Sequence, residues 1–139
     1  FRKYEASWDW GVDASYTLRT GKNDRDYRLG DKAGLGGWLM WKGVSVVRPG
    51  IRLDYRWQGD IDGEDVSLRV PNPAFPYPAP VTNPNAFGGD QIDLTVFARA
   101  PFADSWYVEA AYSQPIYLDL SGPQTSEKFH FSIEIGTSF

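Results

Sequence analysis

Arg48, Arg52 and Arg56 recur at every fourth position. In an extended segment successive side chains alternate sides, so the three guanidinium groups share one face, together with Asp54. Neighbouring segments add Arg28 and Lys32 before them, and Asp93, Arg99, Glu109, Lys128, His130 and Glu134 after them. So many charges cannot stand in a dry core; they must be paired with one another or bathed in water. A basic stripe facing an acidic one gives a transverse field that orders water and sorts solutes by charge and dipole. A narrower constellation is His130 and Ser132, the minimum for a base and a nucleophile, with Glu134 as an orienting group. Consecutive positions on one strand face lie ~7 Å apart, too far for a direct bond unless the side chains lean together. His130 therefore reads first as polar filler, and no catalytic residue is expected. Asp60, Asp62, Glu64 and Asp65 around Gly63 have the oxygen-rich spacing of a calcium loop. The bidentate Glu such a loop needs is missing, so a solvated acidic loop is expected, with no metal and no cofactor.

The elements that position these residues are legible as a period-2 pattern, which marks strands with one apolar and one polar face. Six such strands are predicted, at about 8–19, 27–41, 45–58, 90–102, 105–118 and 127–139. In the first, Trp8, Trp10, Val12, Ala14, Tyr16 and Leu18 alternate with Asp9, Gly11, Asp13, Ser15, Thr17 and Arg19. In the second, the polar phase holds Arg28, Lys32 and several glycines, with Trp38 and Met40 as exceptions. The third sets Val47, Ile51, Leu53 and Tyr55 against the arginines. The fourth sets Ile92, Leu94 and Val96 against Asp93 and Arg99, and the fifth sets Trp106, Val108, Tyr112 and Ile116 against Glu109, Ser113 and Asp119. In the sixth, Phe129, Phe131, Ile133, Ile135 and Phe139 alternate with Lys128, His130, Ser132, Glu134, Gly136 and Ser138.

The connections alternate in length. Those at 20–26, 59–89 and 120–127 are long, and those near Lys42-Gly43 and at 102–105 are tight. Transmembrane barrels have this asymmetry, with long loops outside and short turns in the periplasm. With that orientation the apolar-phase aromatics fall into two belts. Trp8, Trp10, Trp41, Phe102, Trp106 and Phe139 sit at the periplasmic rim, and Tyr16, Tyr27, Tyr55, Trp57, Phe129 and Phe131 at the outer one. Rings of this kind suit a lipid–water boundary. The predicted fold is thus all-β, an antiparallel up-and-down transmembrane β-barrel segment of one domain. The loop at 59–89 carries a proline-rich run, semi-rigid and extended, that either narrows the passage or stands out as a recognition surface.

Composition agrees with this reading. Mean hydropathy is -0.44, and no apolar run approaches the ~18 residues a membrane helix needs; alternating barrel strands average out as hydrophilic. Aromatic residues make up 16%, with six Trp and eight Tyr. The absence of Cys excludes disulfides, Cys-type zinc sites and c-type haem attachment. A net charge of -4 speaks against a nucleic-acid partner.

The ending FHFSIEIGTSF resembles the C-terminal targeting strand of Gram-negative outer-membrane proteins. That resemblance implies that Phe131, Ile133, Ile135 and Phe139 are read by the barrel-insertion machinery and that residue 139 is the true end. A narrower resemblance spans about 57–139. It rests on Trp57–Asp65, on Thr82-Asn83-Pro84, on Gly88-Gly89-Asp90, on Gln114–Tyr117 and on Ser121–Gln124. These stretches are similar to putative outer-membrane transporter barrels of the phenol meta-pathway type, which implies a barrel of transport type and carries over no catalytic residue.

Six strands are too few to close a membrane barrel, and a sheet edge cannot stand open in lipid. The expected partners are therefore the remaining strands of the same barrel or further copies, along with outer-membrane lipid and lipopolysaccharide. The start FRKYEASWDW lacks the apolar core of a signal peptide, so either a leader has been removed or, as expected here, the chain begins in the middle of a longer protein. The expected function is an outer-membrane channel passing small polar or aromatic solutes through a charged lumen. The alternatives are a non-conducting scaffold or partner-binding barrel and, more remotely, a hydrolase.

Overall fold

The computed structural model describes residues 1–4, 7–43, 46–74, 76–79, 82–122, 124 and 128–137. Nine strands form: β1 (Arg2–Tyr4), β2 (Trp8–Thr17), β3 (Tyr27–Arg28), β4 (Lys32–Trp41), β5 (Arg48–Gln58), β6 (Asp62–Gly63), β7 (Gly89–Pro101), β8 (Trp106–Leu120) and β9 (His130–Thr137). Seven of them make one antiparallel sheet in the order β1-β2-β4-β5-β7-β8-β9, and β3 pairs with β6 apart from it. Sheet neighbours are therefore neighbours in the chain, an up-and-down meander. Among the described residues the only helical turns are the short 3-10 turns Val66–Leu68 and Pro84–Ala86.

Three features differ from the sequence reading. The sheet has seven strands, not six, because β1 pairs Arg2 with Gly11 and Tyr4 with Asp9. Three residues are too short to show a period, so only pairing reveals that strand. The segment expected as one strand over 27–41 is broken at 29–31. Asp26 turns the chain with φ of 63°, and Tyr27 and Arg28 pair with Gly63 and Asp62 of the long connection. Lastly, a bulge shifts the β7–β8 register, so that Asp93 faces Pro115 while Ile92 faces Tyr117. Proline has no N–H to give the ladder, and a bulge is where a strand absorbs it. Beyond the bulge the phase slips, and Asp119, expected on the polar face, stands opposite Asp90 on the apolar side.

The sheet curves with its polar face inward but is not closed; β1 and β9 each have a partner on one side only. Residues from β2, β4, β5, β7 and β8, with His130 of β9, border one cavity of about 490 Å³ on the concave side. The convex side carries Val12, Leu35, Ile51, Leu53, Val96, Ile116, Ile133 and Ile135, all exposed. Among the described residues the buried apolar side chains are Met40 and Ala86 and the buried charged ones Asp9 and Asp93. Here apolar residues lie outside and polar ones inside, the reverse of an ordinary globular core.

The described parts of the connections at 18–31, 59–88 and 121–129 gather at one end of the sheet. Gly59 N–H donates to Asp31 O at 2.9 Å, and Ser121 N–H to Gly88 O at 3.1 Å. Arg25 pairs with Asp65 at 2.9 Å, and Gln124 Nε2 donates to Gly88 O at 2.7 Å. The long loop is thus held sideways by both neighbours.

Candidate functional site

The middle of the concave face is built on β2, β4, β5 and β7. Arg52 Nε donates to both oxygens of Asp54, at 2.8 and 2.7 Å, and its Nη2 reaches Asp13 at 3.2 Å, two strands away. The strand between contributes Gly36. A Cβ there would come within 2.8 Å of Arg52, Asp13 and Asp54, so the absence of a side chain is what lets the three charges meet. One step towards the loops, Arg56 pairs with Asp93, whose other oxygen accepts from Gln91 Nε2 at 2.8 Å. Thr95 and Ser113 hydroxyls bond at 2.9 Å beside them.

Towards the turn end the same face becomes aromatic. Arg99 pairs with Glu109 at 2.8 Å and lies 4.0 Å from the centre of the Tyr107 ring. Directly opposite Arg99 in the register stands Arg48. Its Nε–H is buried without an acceptor, and it has no carboxylate partner among the described residues. Trp38, Phe97 and Tyr107 all point inward, and each occupies the space beside the glycine facing it in the register: Gly11, Gly50 and Gly136. A Cβ on any of the three would collide with the ring above it. Lys42 Nζ closes this end, 2.5 Å from Asp9.

Arg48, Arg52, Asp54, Arg56, Asp93, Arg99 and Glu109 therefore meet on one face. The expected segregation into a basic and an acidic stripe is absent, because each paired arginine finds its carboxylate on the same or a nearby strand. Glu134 stands opposite Glu109 and His130 opposite Ser113, while Ser132 faces Ala111. Lys32 is exposed at the start of β4, on the rim of the loop-end cavity. Lys128 is exposed just before β9. Arg28 leaves the set: carried off on β3, it pairs with Asp62 at 3.5 Å and donates to Arg19 O at 2.6 Å. Phe131, Ile133 and Ile135 project exposed from the convex side, and Phe139 lies outside the described residues.

Three of the four carboxylates of the acidic loop are neutralised, two of them by arginines of the 18–31 connection. Asp62, Asp65 and Glu64 each pair with an arginine, and Glu64 also accepts from the Tyr77 hydroxyl at 2.8 Å. Hydrogen bonds from Tyr77 and Arg69 hold the Glu64 carboxyl below its ordinary range. Ser67, then Arg25, does the same for Asp65, and the Arg19 N–H, then Tyr16, for Asp31. Among the described residues no cluster is arranged to hold a metal ion.

The inward aromatics carry no signal of their own in the sequence pattern: Phe97 and Tyr107 sit on the polar phase, where Trp38 is also an exception. What identifies them is a glycine directly across, which takes the register to see. Comparison with family models, curated proteins and solved structures finds no match to this chain.

Proposed function

We propose that this chain forms part of a β-barrel of the bacterial outer membrane, whose concave charged face lines an aqueous path for small polar or aromatic solutes. The observation that carries this reading is the inverted amphipathicity of the sheet, with ion-paired charges inside and uncovered aliphatics outside. In water such a sheet leaves the main driving force of folding unused. A bilayer supplies the missing apolar surroundings.

The slant of the aromatic belts supports the same reading. Trp10, Leu39, Ile51, Val96, Tyr112 and Phe131 lie on one rung of the sheet. The turn-end belt does not follow that rung. From Trp8 and Trp10 on β2 to Trp106 on β8 it drops by four to six residues relative to the register. That is ~13–20 Å of strand over ~19 Å of sheet width, a slant of roughly 35–45°. At the loop end, Tyr16 on β2 and Phe129 and Phe131 near β9 slant the same way. Strands of membrane barrels tilt by about 35–45°, so belts level with a membrane plane cross the rungs at this angle.

Closure follows from direction. β1 and β9 run the same way, so rotated copies of this sheet would meet edge to edge in parallel. Antiparallel closure takes an odd number of further strands, which gives an even total, as membrane barrels favour. That favours remaining strands of one barrel over further copies. Lipid and lipopolysaccharide are then the partners of the convex face. The insertion machinery reads Phe131, Ile133, Ile135 and Phe139.

The test is single-channel recording on the intact gene product in planar bilayers, with and without Arg48, Arg52 and Arg56 changed to Ala. A steady conductance is expected, shifting towards cations in the variant because Asp13, Asp54 and Asp93 lose their counter-charges. Silence in both, despite insertion, would turn the reading to a non-conducting, partner-binding barrel.

A further inference from the structure

We infer that the turn-end cavity of the concave face is a binding site for an organic monocarboxylate with a compact apolar body, and that it sets the solute preference of the path proposed above. The cavity, about 670 Å³, falls in the ~300–1,000 Å³ range of small-ligand sites. Its charges are unevenly satisfied. Arg52, Arg99 and Asp9 are each matched by an opposite charge. Arg48 and Arg2 also border the cavity and have no such partner among the described residues. The one unmatched acid on its wall is Asp104, exposed in the turn at the rim.

Arg48 is the anchor. Its Nε–H is closed off without an acceptor, which leaves the terminal nitrogens to meet a ligand, and across the sheet its neighbour Arg99 is already neutralised by Glu109. A planar guanidinium so placed matches a carboxylate in two parallel hydrogen bonds. The surroundings are apolar where a ligand body would extend. Phe97 fills the space beside Gly50 and Trp38 that beside Gly11, and Met40, 3% exposed, lines the same cavity. Charge recognition beside a fixed apolar floor selects for both halves of the molecule: an inorganic anion lacks the body, and a neutral ring lacks the charge.

The proposal rests on the pathway reading, so binding and conduction are measured separately on the same intact protein. Calorimetric titration in detergent uses benzoate, with acetate and benzamide as probes lacking the body or the charge. Benzoate is expected to bind saturably, with both controls at least about tenfold weaker. Arg48→Gln should lower benzoate affinity by a similar factor, Arg48→Lys should restore part of it, and Phe97→Leu should weaken benzoate but not acetate. Heat-modifiable migration on gels checks that each variant is folded. Equal binding of acetate and benzoate, or benzoate binding unchanged in folded Arg48→Gln, would overturn the site. Conductance without saturable benzoate binding overturns the site and leaves the path; binding without conductance does the reverse.

Discussion

At the scale of single residues, the concave face works by local pairing. Arg56 and Asp93 carry opposite charges in one ion pair, so removing either leaves the other to act alone on ions in the proposed path. Asp93→Asn is expected to move the reversal potential towards anion preference, and Arg56→Gln towards cations. The Arg56 side chain is 62% exposed but that of Asp93 only 10%, so loss of the arginine leaves a buried carboxylate without its partner and should cost more than the ~1 kcal/mol of an exposed pair. The glycines beneath the rings behave differently. Gly50→Val would drive a methyl group into Phe97, costing about 1–3 kcal/mol and pushing the ring towards the open side. Gly37 faces the apolar side, where an added Cβ meets Val12 at an ordinary 3.8 Å. Gly37→Val should therefore be nearly neutral, and chemical unfolding of the two variants side by side separates them. The period-2 pattern placed Arg48, Arg52, Arg56, Asp93 and Glu109 on the polar phase without any structure. It could not say that Arg52 reaches past β4 to Asp13, because that contact depends on register and on Gly36 having no side chain.

At the scale of elements, the loop end is a small assembly of its own. β3 and β6 pair there, and Arg25, Arg28 and Arg69 each hold a carboxylate. Asp31, Glu64 and Asp65 are held below their ordinary range by the hydrogen bonds they accept. A group lowered in the folded state stabilises fully above its ordinary value and stops doing so as the pH falls through the lowered one. The ordinary values lie near ~4, so the loops should loosen below about that pH while the strands persist. Pepsin cleavage within residues 59–88, divided at each pH by cleavage of an unstructured control peptide because pepsin itself titrates here, should rise from about pH 5 to about pH 2; a pH-independent ratio would count against it. The sequence showed the acidic cluster but not its partners. Arg28 was read as part of a continuous strand, since its alternation runs smoothly into β4, and only the positive φ at Asp26 and pairing across 35 intervening positions, between Tyr27 and Gly63, remove it.

At the scale of the whole molecule, the antiparallel all-β architecture was legible because six segments carry the same alternation and each is short enough to be a strand. The seventh strand, the bulge and the parity of the edges were not, since each is a property of pairing rather than of any one segment. The decisive contrast lies between the two faces. Leu53→Arg places a charge on the convex side near mid-strand, and should cost about 2–4 kcal/mol in a bilayer, measured by reversible unfolding from liposomes. Ser113→Arg, on the concave side, should cost far less. Equal tolerance at both positions would deny the convex face its lipid.

The rings that rest on Gly11, Gly50 and Gly136 bear on the width of any passage. Strand number fixes the circumference of a barrel, but the free bore is what remains after inward side chains have taken their share. A ring that fills the space left by a neighbour with no side chain takes less of the bore than the same ring displaced from it. Calibre here is therefore set at three positions that contribute no side-chain atoms at all, and it can change without the loss or gain of a single strand.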